Sequence, residues 1–577
     1  MADISRYLAI ILGSHPLCIM LPFLSLFTLA QVTAAPPPQE VVPLEVPESE
    51  SESESLAQVT AAPPPQEAVP LEVPEPESEP EPEVVPAPPK QVEIVQPQEV
   101  RPFPGRLDEV PVFNSNSPEV VRTEGILLST FPGQGKRWPS AHLNYAFKGR
   151  FDVFSHHIAR AATADELRTL YHGILAYNPT RQPITVRLLQ SATYLSKPHA
   201  PYIDLPDYMN DPFGNVYAGP GSRIVNDVLR GRRQGMFPSS ITIPPRQSRM
   251  LLNLPIPVGN RAPSSNTRST LMRLASNGPV YLASMAMFAP VNVIQEEVDG
   301  EVVVQRSTER MPTVPEWERL LLSSSLAGPR DRAPTSPNAP NNRFFPGWFL
   351  YGRVAGVAKG SQWIGKATDD PNSDRLTIPK PGQAFSYAIS TLPRGTLGTG
   401  QVQSADMLVR YPDTAYKAHG NYGIQYNLEM PLYNPNDRPK QVAIALQTPL
   451  KEDQPREGLR FLNPPEDRIF FRGTIRLRYR DENNVEQKRY VHVVQRRGQQ
   501  GEPLVVLNMG PRDRRMVEVD FLYPPDATPP QILTVQTLSV PDFQNAASDS
   551  SSQSVTSNQP TVAEEASEET DNNLTAN

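Results

Sequence analysis

One run of residues combines types and spacing that could do chemistry. In Ile475-Arg476-Leu477-Arg478-Tyr479-Arg480 three arginines alternate with apolar residues. Successive side chains of a β-strand point to opposite faces, so Arg476, Arg478 and Arg480 share one face and Ile475, Leu477 and Tyr479 the other. Val485 to Val494 reads as the second strand of a hairpin that turns at Asp481-Glu482-Asn483-Asn484; it adds Lys488 and Arg489, and Arg496-Arg497 follow. Arg230, Arg232 and Arg233 form a second cluster. A guanidinium matches carboxylate, sulfate and phosphate through forked hydrogen bonds. The expected chemistry is recognition of an anionic partner: acidic polysaccharide, lipid headgroups or the protein's own acidic segments. The same pattern also reads as the solvated face of a hairpin, with charges that discourage edge-to-edge pairing.

Other chemistry has little support. His156-His157 could seed a metal site, but adjacent residues on a strand face opposite ways, and no other His or acidic cluster has ligand spacing, so no metal is expected. His142, His172, His199, His419 and His492 are scattered and read as structural. There is no Gly-x-Ser-x-Gly elbow, phosphate loop or dinucleotide fingerprint; Gly219-Pro220-Gly221-Ser222 and Gly328-Pro329 read as turns. The one cysteine, Cys18, lies in an apolar N-terminal run. The rest of the chain therefore has no disulfide framework, Cys zinc site, iron–sulfur cluster or thiol nucleophile. No catalytic residue and no cofactor is assigned. Paired carboxylates for glycoside hydrolysis need only meet in space, which keeps a secreted polysaccharide-active enzyme as an alternative.

The elements that must position these residues are strands. Tyr177-Asn178-Pro179-x-x-x-Pro183-x-x-Val186-x-Leu188 returns as Tyr433-Asn434-Pro435-x-x-x-Pro439-x-x-Val442-x-Ile444. In each, a strand ends in an Asn-Pro turn and an alternating strand follows. Pro245-Arg246-x-x-Arg249-Met250-Leu251 returns, in the same order, as Pro511-Arg512-x-x-Arg515-Met516-Val517. Met250, Leu252 and Leu254 in one copy, and Val517, Val519 and Phe521 in the other, alternate as on half-buried strands. Val110 to Phe113 and Gly125 to Ser129 read as further strands, and Asn277-Gly278 as a two-residue hairpin turn between Thr270–Ser276 and Val280–Phe288. Thr163-x-x-Glu166 and Thr313-x-x-Glu316 are capping boxes predicting short helices to about Tyr171 and Leu322. The expected fold is mainly β: two related antiparallel β-sandwich (Ig-like) modules at 98–328 and 343–540, joined by a Pro/Asn-rich linker at 329–342.

The ends read differently. Arg6, an apolar run to Ala30 and small residues at cleavage spacing predict a signal peptide over 1–30, with a retained anchor as the other reading. Residues 31–97 are rich in Pro and Glu and contain a tandem repeat, Leu29 to Pro36 recurring at Leu56 to Pro63. Such sequence cannot bury enough apolar surface to order itself, and it reads as a spacer. Residues 541–577 read as a disordered acidic tail. Residues 31–100 carry a net fourteen negative charges and 541–577 a net seven, while 1–30 balance; with a chain total of −8, residues 101–540 carry +13. A basic core between acidic segments bears on partners and solubility. No later stretch is apolar enough to span a bilayer.

Phe113-Asn114-Ser115-Asn116-Ser117-Pro118-Glu119 and Gly125 to Phe131, with Arg353 to Ala358 and Gln495 to Glu502, resemble blocks of an uncharacterised family of exported cyanobacterial proteins, a domain of unknown function. The resemblance covers about 98–540. It implies a periplasmic, outer-envelope or extracellular protein and carries no catalytic residues. The leading expectation is a non-enzymatic protein that binds acidic polysaccharide or another envelope component. Export argues against nucleic acid. A structural part of a surface layer or export complex is the remaining alternative.

Overall fold

The computed structural model describes residues 90–298, 301–337 and 350–539. The expected signal peptide, most of the spacer, part of the linker and the acidic tail lie outside these residues. What is described is mainly β, with two α-helices, α1 (Gly219–Leu229) and α2 (Val314–Ser323). No helix among the described residues is long and apolar enough to cross a membrane.

The duplication seen in the sequence has a matching pair of geometries. Leu170–Tyr177 pairs with Ser248–Ile256, and Ile184–Leu195 pairs with Ser240–Ile243. In the second copy Gln425–Tyr433 pairs with Arg514–Leu522, and Lys440–Gln447 with Pro503–Met509. The strands on either side of each Asn-Pro turn enter different sheets. Each turn is pinned by its buried asparagine. Asn178 Nδ2 donates to Gln182, Ile243 and Pro244 carbonyls at 2.7, 3.0 and 3.2 Å; Asn434 Nδ2 donates to Arg438, Met509 and Gly510 carbonyls at 3.0, 3.2 and 2.8 Å. At the second landmark Arg246 and Arg512 occupy the left-handed region with φ of 54° and 55°.

Several expectations are corrected. Asn277-Gly278 makes no hairpin: Ser264–Phe288 is one strand of 25 residues. Its first half pairs with Phe147–Ala161 and Ile184–Leu195; its second half pairs with Leu170–Tyr177 and Gly125–Ser129 in another sheet. A bulge at 276–280 lets the strand switch sheets. Asn277 Oδ1 accepts from the Thr185 N–H at 2.8 Å, and a Cβ at Gly278 would meet Ile184 Cγ2 at 2.5 Å. The glycine serves a close approach, not a turn. Leu251 and Leu252 are both buried, because a bulge between Met250 and Leu252 breaks the expected alternation; Val517, Val519 and Phe521 keep it. The Thr163 capping box opens only a 3-10 turn, Ala164–Glu166, since Leu170 already begins a strand. The Thr313 box does cap α2: Glu316 accepts from the Thr313 N–H at 2.8 Å. Gly219-Pro220 opens α1 instead of a turn, with proline in the first turn where its missing N–H costs nothing. The pairing is also not purely antiparallel: Pro111–Ser115 with Phe147–Ala161 and Gln362–Lys366 with Gln425–Tyr433 run parallel.

Strands from each half enter the sheets of the other. Ala355–Lys359 pairs with Pro111–Ser115, and Tyr208–Asn210 with Glu486–Arg496. Just before residue 98, Val92–Gln96 pairs with Leu459–Asn463. The largest buried cluster joins α1 residues Ile224, Val225 and Val228 to Phe471, Ile475, Leu477 and Phe521. That contact places the end of α1 beside the arginine hairpin.

Candidate anion-binding surface

The hairpin forms as expected, Ile469–Arg480 pairing with Glu486–Arg496. Ile475 and Leu477 are fully buried, and Arg476, Arg478 and Arg480 take the other face. Directly opposite them on Arg514–Leu522 stand Asp520 and Glu518. Arg476 donates to Asp520 Oδ2 at 2.9 Å and to the Leu229 carbonyl at the end of α1 at 3.4 Å. Arg478 is paired with Glu518 and reaches Asp520 at 3.4 Å. Burial works against the charge of Arg476, but Asp520 more than offsets it, and its pKa is raised.

The second cluster folds onto the same face. Arg230 stacks over the Tyr490 ring at 3.9 Å, and Tyr490 is the cross-strand neighbour of Arg476. Arg230 also donates to Asn226 Oδ1 at 2.7 Å and pairs with buried Asp211 at 3.2 Å. Asp211 in turn accepts from the N–H groups of Gly214, Asn215 and Val216. Burial lowers the Arg230 pKa, with Asp211 opposing. Arg232 pairs with Asp227 at 2.9 Å. Arg496 and Arg497 pair with Asp207 and Glu466.

The two sequence clusters are thus one network, and much of its charge is taken up internally. Among the described residues, three of the expected cations lie on exposed ground outside any salt bridge: Arg480, which donates to Asn484; Lys488, 5.6 Å from the Tyr490 ring; and Arg233. Arg489 lies on the opposite face of the hairpin, bonded to Tyr208 Oη at 2.9 Å and Asn210 Oδ1 at 3.0 Å. Sequence reasoning missed Asp520 and Glu518, although they alternate with Val517, Val519 and Phe521 and so had to share one face. It also missed Asp211 and Tyr490, whose approach to Arg230 depends on α1.

At the hairpin turn a cleft of about 520 Å³ is lined by charges of both signs, among them Arg480, Asp481, Glu482, Arg514 and Glu518. The Val485 N–H and Gln487 hold Asp481 below the usual carboxylate range, and backbone and Asn508 hydrogen bonds do the same for Glu482. These two are ready acceptors, and neither is poised to deliver a proton at neutral pH.

His156 and His157 do face opposite ways: His156 Nδ1 meets Ser269 Oγ at 2.8 Å, while His157 meets Ser115 Oγ at 3.0 Å and the Pro118 carbonyl at 2.9 Å. No group of three or more His, Cys, Asp or Glu among the described residues is arranged to hold a metal.

Ser115 and Pro118 belong to the Phe113–Glu119 block, so that block buries the histidine and joins the sheet to Arg353–Ala358. Over residues 98–537, the chain matches a family described as protein of unknown function (DUF3370). The chain belongs to this family. No protein with a curated description matches it. The DUF3370 domain therefore takes in both copies of the Asn-Pro turn, α1 and the arginine network.

Proposed function

We propose that the protein is exported and works, without catalysis of its own, in the periplasm, outer envelope or extracellular space, binding an anionic glycan or another envelope component. In this reading two related β-sandwich (Ig-like) modules are held on an acidic, proline-rich spacer behind a signal peptide, and the source is cyanobacterial, as the resemblance of the Phe113–Glu119 and Gln495–Glu502 blocks implies. The observation that carries the reading is the segregation of charge: +13 on residues 101–540 between strongly acidic segments. Arg480 and Lys488, exposed and outside any ion pair among the described residues, offer this charge to a partner near the turn of the hairpin. Attraction between exposed charges is screened by salt. The protein should be retained on an acidic polysaccharide at low salt, less at physiological salt, and not on a neutral one. Arg480→Glu with Lys488→Glu should weaken retention. Equal retention of the double variant would remove the hairpin from the site, and release of oligosaccharide products would replace binding with catalysis.

A further inference from the structure

A second surface, remote in sequence from the hairpin, has the makings of a saccharide platform. Among the described tryptophans, Trp317 and Trp363 are buried, whereas Trp138 is 45% exposed. Its loop is not slack. Lys136 N–H donates to the Gly133 carbonyl at 3.2 Å and Arg137 N–H to the Leu322 carbonyl at 3.0 Å. The Ala141 N–H closes a turn onto the Trp138 carbonyl at 3.0 Å, the Ala141 carbonyl accepts from Tyr411 Oη at 2.8 Å, and the His142 ring meets Ser129 Oγ at 2.8 Å. An indole held in solvent by a fixed loop loses little freedom when something binds it.

The Arg137–Leu322 bond sets this loop against the last turn of α2. Arg319 and Leu322, both exposed, are three residues apart on α2 and share a face. Trp317, Leu320 and Leu321 turn inward. Unlike Arg476, Arg478 or Arg230, neither Arg137 nor Arg319 has a carboxylate within salt-bridge distance among the described residues. Glu318, one residue before Arg319, is the nearest carboxylate in sequence; with Lys136 counted, the face is net positive. Exposed guanidiniums on the same loop as an exposed indole and on the helix turn bonded to it offer two complementary contacts. The ring face takes the C–H side of a flat, weakly polar partner, and the forks take planar anionic groups. A membrane surface would call for a broader apolar area than one indole and one leucine supply.

We infer that Lys136–Trp138 and the exposed turn Arg319–Leu322 form a docking site for an acidic saccharide, a sugar ring stacking on Trp138 while its carboxylate or sulfate engages Arg137 and Arg319. The site deepens the anionic-glycan reading and rests on it. The test measures binding of the full chain to polygalacturonate, dextran sulfate, neutral dextran and anionic phospholipid vesicles, for the wild type, Trp138→Ala, Arg137→Ala with Arg319→Ala, and Arg480→Glu with Lys488→Glu. Thermal melts confirm that these exposed substitutions leave folding intact. Expected are binding to at least one acidic polysaccharide, a loss of roughly tenfold or more in affinity for each of the first two variants, and protection of Trp138 fluorescence from acrylamide by the bound polymer. If the wild type binds but Trp138→Ala and the double alanine variant bind as well, this site is wrong while the glycan reading stands. If the wild type binds no acidic polysaccharide, the reading itself fails. Binding to vesicles alone would overturn the saccharide assignment in favour of a lipid surface.

Discussion

Asp520 shows how little of a charged residue's role its own type reveals. Three arginines at period two looked like an open cationic face, yet Arg476 and Arg478 both converge on this one carboxylate, 3% exposed, on the neighbouring strand. Removing one partner of a mostly buried pair leaves the other charge uncompensated, which costs about 3 kcal/mol or more. Asp520→Asn should therefore lower the urea midpoint clearly. Arg480→Ala should move stability by no more than about 0.5 kcal/mol, because an exposed side chain without an ion partner contributes little. Equal effects of the two substitutions would contradict the division between internal and offered charge. The same logic separates Arg137 and Arg319 from the paired arginines: their worth lies in binding, and their loss should leave denaturation unchanged.

At the scale of elements, the paired Asn-Pro turns make the sharpest prediction. Asn178 and Asn434 each satisfy three carbonyls at the corner between two sheets. Leaving buried acceptors unsatisfied costs on the order of 1–3 kcal/mol each. Asn178→Ala and Asn434→Ala should both destabilise, by similar amounts, in equilibrium denaturation; an effect at only one site would argue against a shared structural role. Gly278→Ala should also destabilise, by about 1–3 kcal/mol, as its Cβ meets Ile184 at 2.5 Å. A neutral outcome there would remove the close approach to Ile184 as the reason for the glycine. These corners were legible in the sequence because local chemistry dictates them: an asparagine, a proline and an alternating strand. The arginine hairpin was legible for the same reason. What was not legible depended on distant partners. Asn277-Gly278 reads locally as a turn, but each half of Ser264–Phe288 finds wider neighbours on different sheets. Gly219-Pro220 reads as a loop, but ten residues of α1 are buried by elements far away in sequence, and only their packing reveals a helix. The arginine cluster after α1 could not be joined to the hairpin without it.

For the whole molecule, buried histidines set a lower limit on pH. Burial holds His142, His157 and His492 at about 4 and His156 at about 3, against an ordinary 6.5, and holds His172 well below it. The unfolded chain takes up these protons near pH 6.5, whereas the folded chain refuses them until about pH 4 or below. The stability they contribute is full above about 6.5 and is lost as pH falls toward 4. At about 1.4 kcal/mol per pKa unit, acidification below pH 4 costs the fold on the order of 3 kcal/mol for each of His142, His156, His157 and His492, and together these losses rival a net folding stability of about 5–15 kcal/mol. Acid unfolding should set in between pH 6 and 4, with uptake of several protons; a fold intact at pH 3 would refute this. The overall charge arrangement bears on function more directly. A basic core flanked by acidic segments should seek anions outside itself, and the most direct measurement is retention of the protein on acidic against neutral polysaccharide as salt is raised. Selective, salt-sensitive retention without release of products is expected. Indifference to the charge of the polysaccharide, or cleavage of it, would contradict it.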